Sequence, residues 1–151
     1  MSGIVLRFVA YGMLGWAIEI VWTAEHRAAA PGAEARWRLE GRTYLWMFPI
    51  YGSMVFLYEP LHELLRPTPW PLRATVYAAG FLAVEYAAGW LLRRVTGVCP
   101  WDYVLRERPA RWQLHGLIRL DYAPAWALLG LGLEPVHEFL LRLAPLVLGA
   151  L

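Results

Sequence analysis

The chain has 151 residues, of which 59% are apolar, 15% aromatic and 17% charged, with a formal net charge of +2. A short chain this apolar is hard to bury in one soluble core, so the composition predicts an integral membrane protein in a lipid bilayer. The small net charge, without a basic and aromatic groove pattern, argues against nucleic acid as a partner. A single cysteine, Cys99, excludes an internal disulfide.

Four apolar blocks predict an all-α fold, a polytopic four-helix bundle in a single membrane domain that covers residues 1–151. Each block has about 20 residues, enough for a helix that rises about 1.5 Å per residue to cross a hydrocarbon core of about 30 Å. Between the second and third blocks, three prolines in Arg66–Pro71 predict a tight, non-helical turn. The apolar residues 143–151 are too few to span alone. The predicted spans are residues 4–24, 44–65, 73–92 and 122–141.

The arginines predict the orientation of these spans. Four arginines flank the ends of the spans on one face of the membrane, whereas the two long loops on the other face carry ten arginines. The positive-inside rule therefore places both long loops in the cytoplasm and both termini outside. The ten loop arginines are Arg27, Arg36, Arg38, Arg42, Arg93, Arg94, Arg106, Arg108, Arg111 and Arg119.

Two sequence patterns occur twice. The phrase Glu-Pro-aliphatic-His-Glu is found at residues 59–63 and again at 134–138. An arginine, a tyrosine, an alanine and a glutamate also have the same mutual spacing in the first and third spans. These patterns predict two duplicated helical hairpins, related as a parallel repeat. The matching positions are Arg7, Tyr11, Ala17 and Glu19 in the first span and Arg73, Tyr77, Ala83 and Glu85 in the third.

Each predicted span carries an acid within its apolar stretch, and the four acids are Glu19, Glu59, Glu85 and Glu134. An ionised carboxylate at mid-membrane costs a few kcal/mol, so such residues usually face the bundle interior or a wet cavity and mark a pathway or site. With Tyr51, we expect them to line a small polar cavity used in transport or ligand binding. The alternative is that they are protonated, or paired with tyrosine, tryptophan and arginine at the membrane interface.

A dinuclear metal site is a second interpretation of the same acids. Ferritin-like carboxylate proteins use one glutamate from each of two helices and a Glu-x-x-His pair from each of two others. This ligand set suits iron, manganese or zinc. Depth argues against it, because the acids of the second and fourth spans lie roughly 10 Å nearer the outer face than the other two. The candidate ligands are Glu19, Glu59, His62, Glu85, Glu134 and His137.

The two Glu-Pro phrases also have a structural interpretation. Proline is favoured at the first position of a helix, so each phrase could end a span and begin a short interfacial helix. The histidine and the following glutamate would then be exposed to water.

The second long loop contains Cys-Pro-Trp101-Asp102-Tyr103, and Asp121 precedes the fourth span. Asp102 is a candidate to bind a headgroup or a substrate amine, or to close a gate against a loop arginine. We favour the structural interpretation, in which the aspartate caps a turn and its aromatic neighbours lie in the headgroup layer.

These motifs together resemble the ABC-transporter type IV (CmpB-like) family, and are similar also to the animal transmembrane protein 229 group. The resemblance extends from Arg7 to Arg142 and implies a small multi-pass membrane protein, but no substrate or catalytic residue. It departs from the pattern at Val104, where serine is common, and at Asp121, where glutamate is common. The sequence has no ATP-binding motif, so an ABC partnership would need a separate ATPase. The residues that carry the resemblance are Pro49-Ile50-Tyr51-Gly52, Glu59, Glu85, Cys99–Tyr103, Gly116-Leu117-Ile118, Leu120–Trp126 and Glu134.

The leading hypothesis is therefore a transporter or permease-like membrane protein without enzymatic activity. Four short helices enclose little volume, so we expect a homo-oligomer or a membrane partner. Two alternatives stay open: a membrane-embedded carboxylate and histidine metalloenzyme, and a structural or regulatory subunit whose acids serve helix association.

Overall fold

A computed structural model describes residues 3–28, 39–104 and 112–149, with the side chains of 26–28 excepted. The described residues are predominantly helical, which confirms the predicted all-α class; the one described β-ladder joins β1 (Gln113–Leu114) to β2 (Ile118–Arg119). Several loop arginines on which the predicted orientation depends lie outside the described residues: Arg36, Arg38, Arg106, Arg108 and Arg111, together with the side chain of Arg27.

Five helices in the described ranges correspond to the four predicted blocks. Two of them have a stretch long and apolar enough to cross a membrane: residues Gly3–Glu25 near the N-terminus and residues Trp70–Thr96. The helices are α1 (Gly3–Ala28), α2 (Met47–Gly52), α3 (Met54–Leu65), α4 (Trp70–Thr96) and α5 (Ala123–Gly149), and a 3-10 turn (Leu120–Tyr122) leads into α5.

The second predicted span is two helices, α2 and α3, separated at Ser53. The backbone N–H of Ser53 still bonds to Pro49 O at 2.9 Å, and its hydroxyl donates to Ile50 O at 2.6 Å, so the chain turns without losing these bonds. Glycine allows α2 to approach α1 closely: a Cβ built on Gly15 would lie 2.1 Å from Cγ of Tyr51. Such close approach at small residues is typical of helix packing in membranes.

Helix α4 begins at Trp70, inside the segment predicted to be non-helical. That prediction was wrong at its last residues because Pro71 lies in the first turn of the helix, where no backbone N–H donor is required. At the other end, Gly97 adopts φ of +82° and its N–H bonds to Arg93 O at 3.0 Å, which caps the helix.

Both Glu-Pro phrases lie inside helices. Pro60 is within α3 and Pro135 is within α5, so neither phrase ends one helix and begins another. The predicted interfacial helices were therefore wrong. Proline is tolerated in membrane helices where neighbouring groups satisfy the freed carbonyl.

The chain divides into two compact units. The first contains the residues up to Pro60 and those from Leu140 onward, and the second is Leu61–Phe139. The buried core of the first unit includes Tyr11, Met54, Val55, Tyr58 and Ala144. That of the second includes Tyr77, Trp101, Tyr103, Leu117 and Leu133.

Candidate functional site

In the first unit, Arg7 and Tyr11 of α1 both bind Glu59 of α3. Arg7 Nε lies 2.9 Å from Glu59 Oε1 and 3.2 Å from Oε2, and the Tyr11 hydroxyl also hydrogen-bonds to this carboxylate. Arg7 and Tyr11 are four residues apart, so they occupy the same face of α1. Glu59 and Tyr11 are only 7% and 2% exposed, which makes this a buried, paired carboxylate.

The second unit contains the same three residue types in the same arrangement. Arg73 Nε lies 2.8 Å from Glu134 Oε1, Arg73 Nη2 lies 3.1 Å from Oε2, and the Tyr77 hydroxyl donates to Oε1 at 3.1 Å. Arg73 and Tyr77 belong to α4, and Glu134 belongs to α5. The equal spacing noticed in the sequence thus corresponds to equal side-chain partners in each unit.

Glu19 has different partners from Glu59. Its Oε2 accepts hydrogen bonds from the hydroxyl of Thr43 at 2.8 Å and from that of Tyr51 at 3.3 Å. Glu19 lies twelve residues after Arg7 on α1, which is about 18 Å along the helix axis. The two glutamates of the first unit therefore belong to separate hydrogen-bonded groups.

Glu85 of the second unit accepts a hydrogen bond of 2.7 Å from the hydroxyl of Tyr103. It lies eight residues after Tyr77 on α4, about 12 Å along the axis from the residue that binds Glu134. The sequence did not predict this partnership, because Tyr103 comes from the loop and no spacing rule links the two.

The Pro-Trp-Asp-Tyr motif packs against α4 as a folded loop. Trp101 is 7% exposed and its indole donates to Leu117 O at 3.0 Å. Asp102 Oδ1 accepts from the backbone N–H of Val104 at 2.9 Å, and Oδ2 pairs with Arg93 Nη2 at 2.8 Å. Asp102 thus caps a turn and also bonds one of the predicted arginines. Trp101 and Tyr103 are buried inside the protein, and their depth in the membrane stays a prediction.

The surroundings of the Cys99 thiol and of the Asp121 carboxyl shift the pKa of each group. Burial raises the pKa of the Cys99 thiol, so this residue is a poor target for alkylating reagents at neutral pH. A hydrogen bond from Arg119 lowers the pKa of the Asp121 carboxyl. The central carbon of the Arg119 guanidinium lies 4.2 Å from the centroid of the Tyr122 ring. Asp121 therefore fixes Arg119 where the chain enters α5.

The two histidines of the repeated phrase are buried, contrary to the prediction that they are exposed to water. His62 is 4% and His137 is 2% exposed, and their ring centroids lie 5.3 Å apart. His62 Nδ1 lies 2.8 Å from the Tyr77 oxygen, and His137 Nε2 lies 3.2 Å from Oε1 of Glu63. Sequence reasoning missed Glu63, since a half-exposed acid next to a histidine carries no distinctive signal.

The structure brings together only part of the predicted dinuclear ligand set. In the second unit the two histidines lie beside Glu63, which was not in that set. Glu59 and Glu134 bind arginine and tyrosine instead, and Glu19 and Glu85 bind hydroxyl groups elsewhere. In the part of the chain that the structure describes, the two span acids of each unit therefore have separate partners.

The described residues form an all-α fold, and two of its helices are long and apolar enough to cross a membrane. Residues 6–146 match the family described as "Putative ABC-transporter type IV". This match covers nearly the whole chain, and the chain belongs to that family. No solved structure matches it.

Proposed function

We propose that this protein is a multi-pass membrane component of a transport system, in which Glu19 and Glu85 are the groups that bind a proton or a cation during transport. The family supports membrane transport as the general function. The proposal includes three further points: the four-span topology, the cytoplasmic position of the long loops and the identity of the bound ion.

One observation carries the proposal. Glu19 and Glu85 lie in the two helices that are long and apolar enough to cross a membrane, and hydroxyl groups of Thr43, Tyr51 and Tyr103 hold their carboxylates. An ionisable residue at such a depth is costly and usually marks an ion or proton pathway. Hydroxyl groups suit this use because they can donate to a carboxylate and accept from a carboxylic acid.

Glu59 and Glu134 have a structural task in this proposal. Each is held by an arginine and a tyrosine of the neighbouring helix within its unit, so each charge is already balanced. We attribute these two equivalent arrangements to duplication of a helical hairpin. A transport cycle would then act on the first glutamate of each copy while the second holds the hairpin together.

Residues 1–151 contain no ATP-binding motif. We propose a separate ATPase or a second copy of this chain in the membrane.

Proton flux through the purified protein tests the proposed role of the two acids. Proteoliposomes loaded with a pH-sensitive dye, under an imposed potassium diffusion potential, should take up protons faster than empty liposomes. Glu19→Gln and Glu85→Gln should each lower this flux at least about tenfold, because an amide cannot exchange a proton.

Glu40→Gln is the matched control, since Glu40 is exposed in the loop after α1. It should leave the flux unchanged. Equal flux through wild type, Glu19→Gln and Glu85→Gln, with all three proteins monodisperse, would count against the proposal. A loss in Glu40→Gln as large as in the two test variants would also contradict it.

A further inference from the structure

We propose that His62, Glu63 and His137 form a mononuclear site for a first-row divalent transition metal, best suited to Zn²⁺. One ligand atom from each of these three residues lies within 4.8 Å of the others, and all three belong to the second unit. This site differs from the dinuclear set predicted from the sequence in its third ligand and in nuclearity, and it is independent of the proposed transport function.

The donor set is that of known open metal sites. Two imidazoles and one carboxylate bind zinc in several hydrolases and bind iron in non-haem oxygenases, in both cases with positions left for water. Two donor atoms about 2.0–2.2 Å from one ion, at angles between octahedral and tetrahedral, lie about 2.8–3.6 Å apart. The 3.2 Å between His137 Nε2 and Glu63 Oε1 falls in this range.

The bond between His62 and Tyr77 sets the tautomer that a metal ligand needs. The single hydroxyl proton of Tyr77 is donated to Glu134 Oε1, so the Tyr77 oxygen accepts the proton of His62 Nδ1. In the neutral imidazole the electron-pair donor is then Nε2. A ligating histidine commonly donates its other ring N–H to a neighbouring acceptor, here the Tyr77 oxygen, and this hydrogen bond fixes the orientation of the imidazole.

Glu63 is also oriented by a neighbour. Its Oε1 faces His137, whereas its Oε2 lies 3.4 Å from Nε of Arg66, which in turn pairs with Glu138. The side chain of Glu63 is 50% exposed while both histidines are buried. An ion can therefore reach the buried imidazoles from the side of Glu63, and the carboxylate can adjust its position on binding.

Between His137 Nε2 and Glu63 the bridging proton belongs to the histidine, because a carboxylate only accepts. A metal ion would replace this proton and join the same two atoms. A neutral imidazole can carry its proton on Nδ1 instead, which leaves Nε2 as the electron-pair donor. Protonation of either histidine competes with Zn²⁺, so the affinity should fall as the pH is lowered.

Zinc binding by the full chain in detergent tests the site. Equilibrium dialysis followed by metal analysis should find about one Zn²⁺ per chain in the wild type, and Co²⁺ should give a visible ligand-field band. Glu63→Gln and His137→Gln should weaken binding more than the roughly 10–100-fold expected when only an outer partner is lost. Tyr77→Phe should weaken it within that range and keep the Co²⁺ band.

Two control variants test whether zinc binds at these three residues and not at another acid or imidazole of the chain. Glu40→Gln removes an exposed acid in the loop after α1, and His115→Gln removes an imidazole that bonds Tyr86 instead; both should keep wild-type affinity. Glu63 is half-exposed, so Glu63→Gln should fold, and added Zn²⁺ should raise the melting temperature of the wild type but not of this variant. Equal zinc binding by wild type and Glu63→Gln, or no stoichiometric zinc in the wild type, would overturn the proposal.

Discussion

Replacing Arg7 with glutamine should destabilise the protein by about 3–5 kcal/mol, because it leaves the buried carboxylate of Glu59 without its cation. Glu59 is 7% exposed and bonds Arg7 Nε through both oxygens. Unfolding of the detergent-solubilised protein by a denaturing detergent, followed by tryptophan fluorescence, measures the loss. The double variant Arg7→Gln/Glu59→Gln should lose clearly less, because the unpaired charge is then gone.

Replacing either of two other arginines should reduce the stability by a smaller amount, because their ion pairs are more exposed. The Arg73–Glu134 pair is more exposed, at 20% for each side chain, so Arg73→Gln should cost less than Arg7→Gln. The Arg66 and Glu138 side chains are 47% and 40% exposed, and Arg66→Gln should cost no more than about 1 kcal/mol. Equal losses in all three variants would contradict the assignment of Glu59 as a buried ion-paired carboxylate.

Replacing Gly130 with alanine should destabilise the second unit by about 1–3 kcal/mol through overpacking. A Cβ at this position would lie 2.4 Å from Cβ of Tyr77, so α4 and α5 would have to separate locally. Tyr77 also bonds Glu134 and His62, and a displaced hydroxyl would weaken both contacts. The same unfolding measurement applies.

Gly132→Ala is the matched control, two residues further along α5. Among the described residues, apart from the adjacent residues and the nearby backbone of α5, no atom lies within 4 Å of a Cβ built on Gly132. This substitution should be neutral or stabilising by up to about 1 kcal/mol, because alanine is the better helix former. A larger loss for Gly132→Ala than for Gly130→Ala would be inconsistent with the close approach of α5 to Tyr77.

The sequence predicted the helices and part of their contacts. Apolar blocks of span length located α1, α4 and α5, because length and composition decide these elements. Most of the ends of these three helices were predicted to within a few residues. The equal spacing of Arg7 and Tyr11 with Arg73 and Tyr77 predicted a duplication but did not name a partner for these side chains. Residues one helical turn apart share a face, which explains why each pair meets one carboxylate in the structure.

Contacts from loops and local backbone choices could not be predicted in the same way. The bond from Tyr103 to Glu85 depends on how the loop folds over α4, and the position of Glu63 beside His137 depends on how α3 meets α5. Pro60 and Pro135 looked like helix ends, but tertiary packing maintains both helices through them. In each case packing between residues distant in the sequence decided the contact or the helix boundary. No simple residue spacing in a single sequence indicates such packing.

The side of the membrane on which each end of α4 lies tests the multi-pass arrangement most directly. Pro67 and Val98 are exposed just before and just after α4, whereas Cys99 is buried and is replaced by serine in both variants. In intact cells an impermeant maleimide should label Pro67→Cys readily, and should label Val98→Cys only after the membrane is permeabilised. Labelling of both cysteines to the same extent before permeabilisation, or of Val98→Cys alone, would contradict the proposed crossing and orientation.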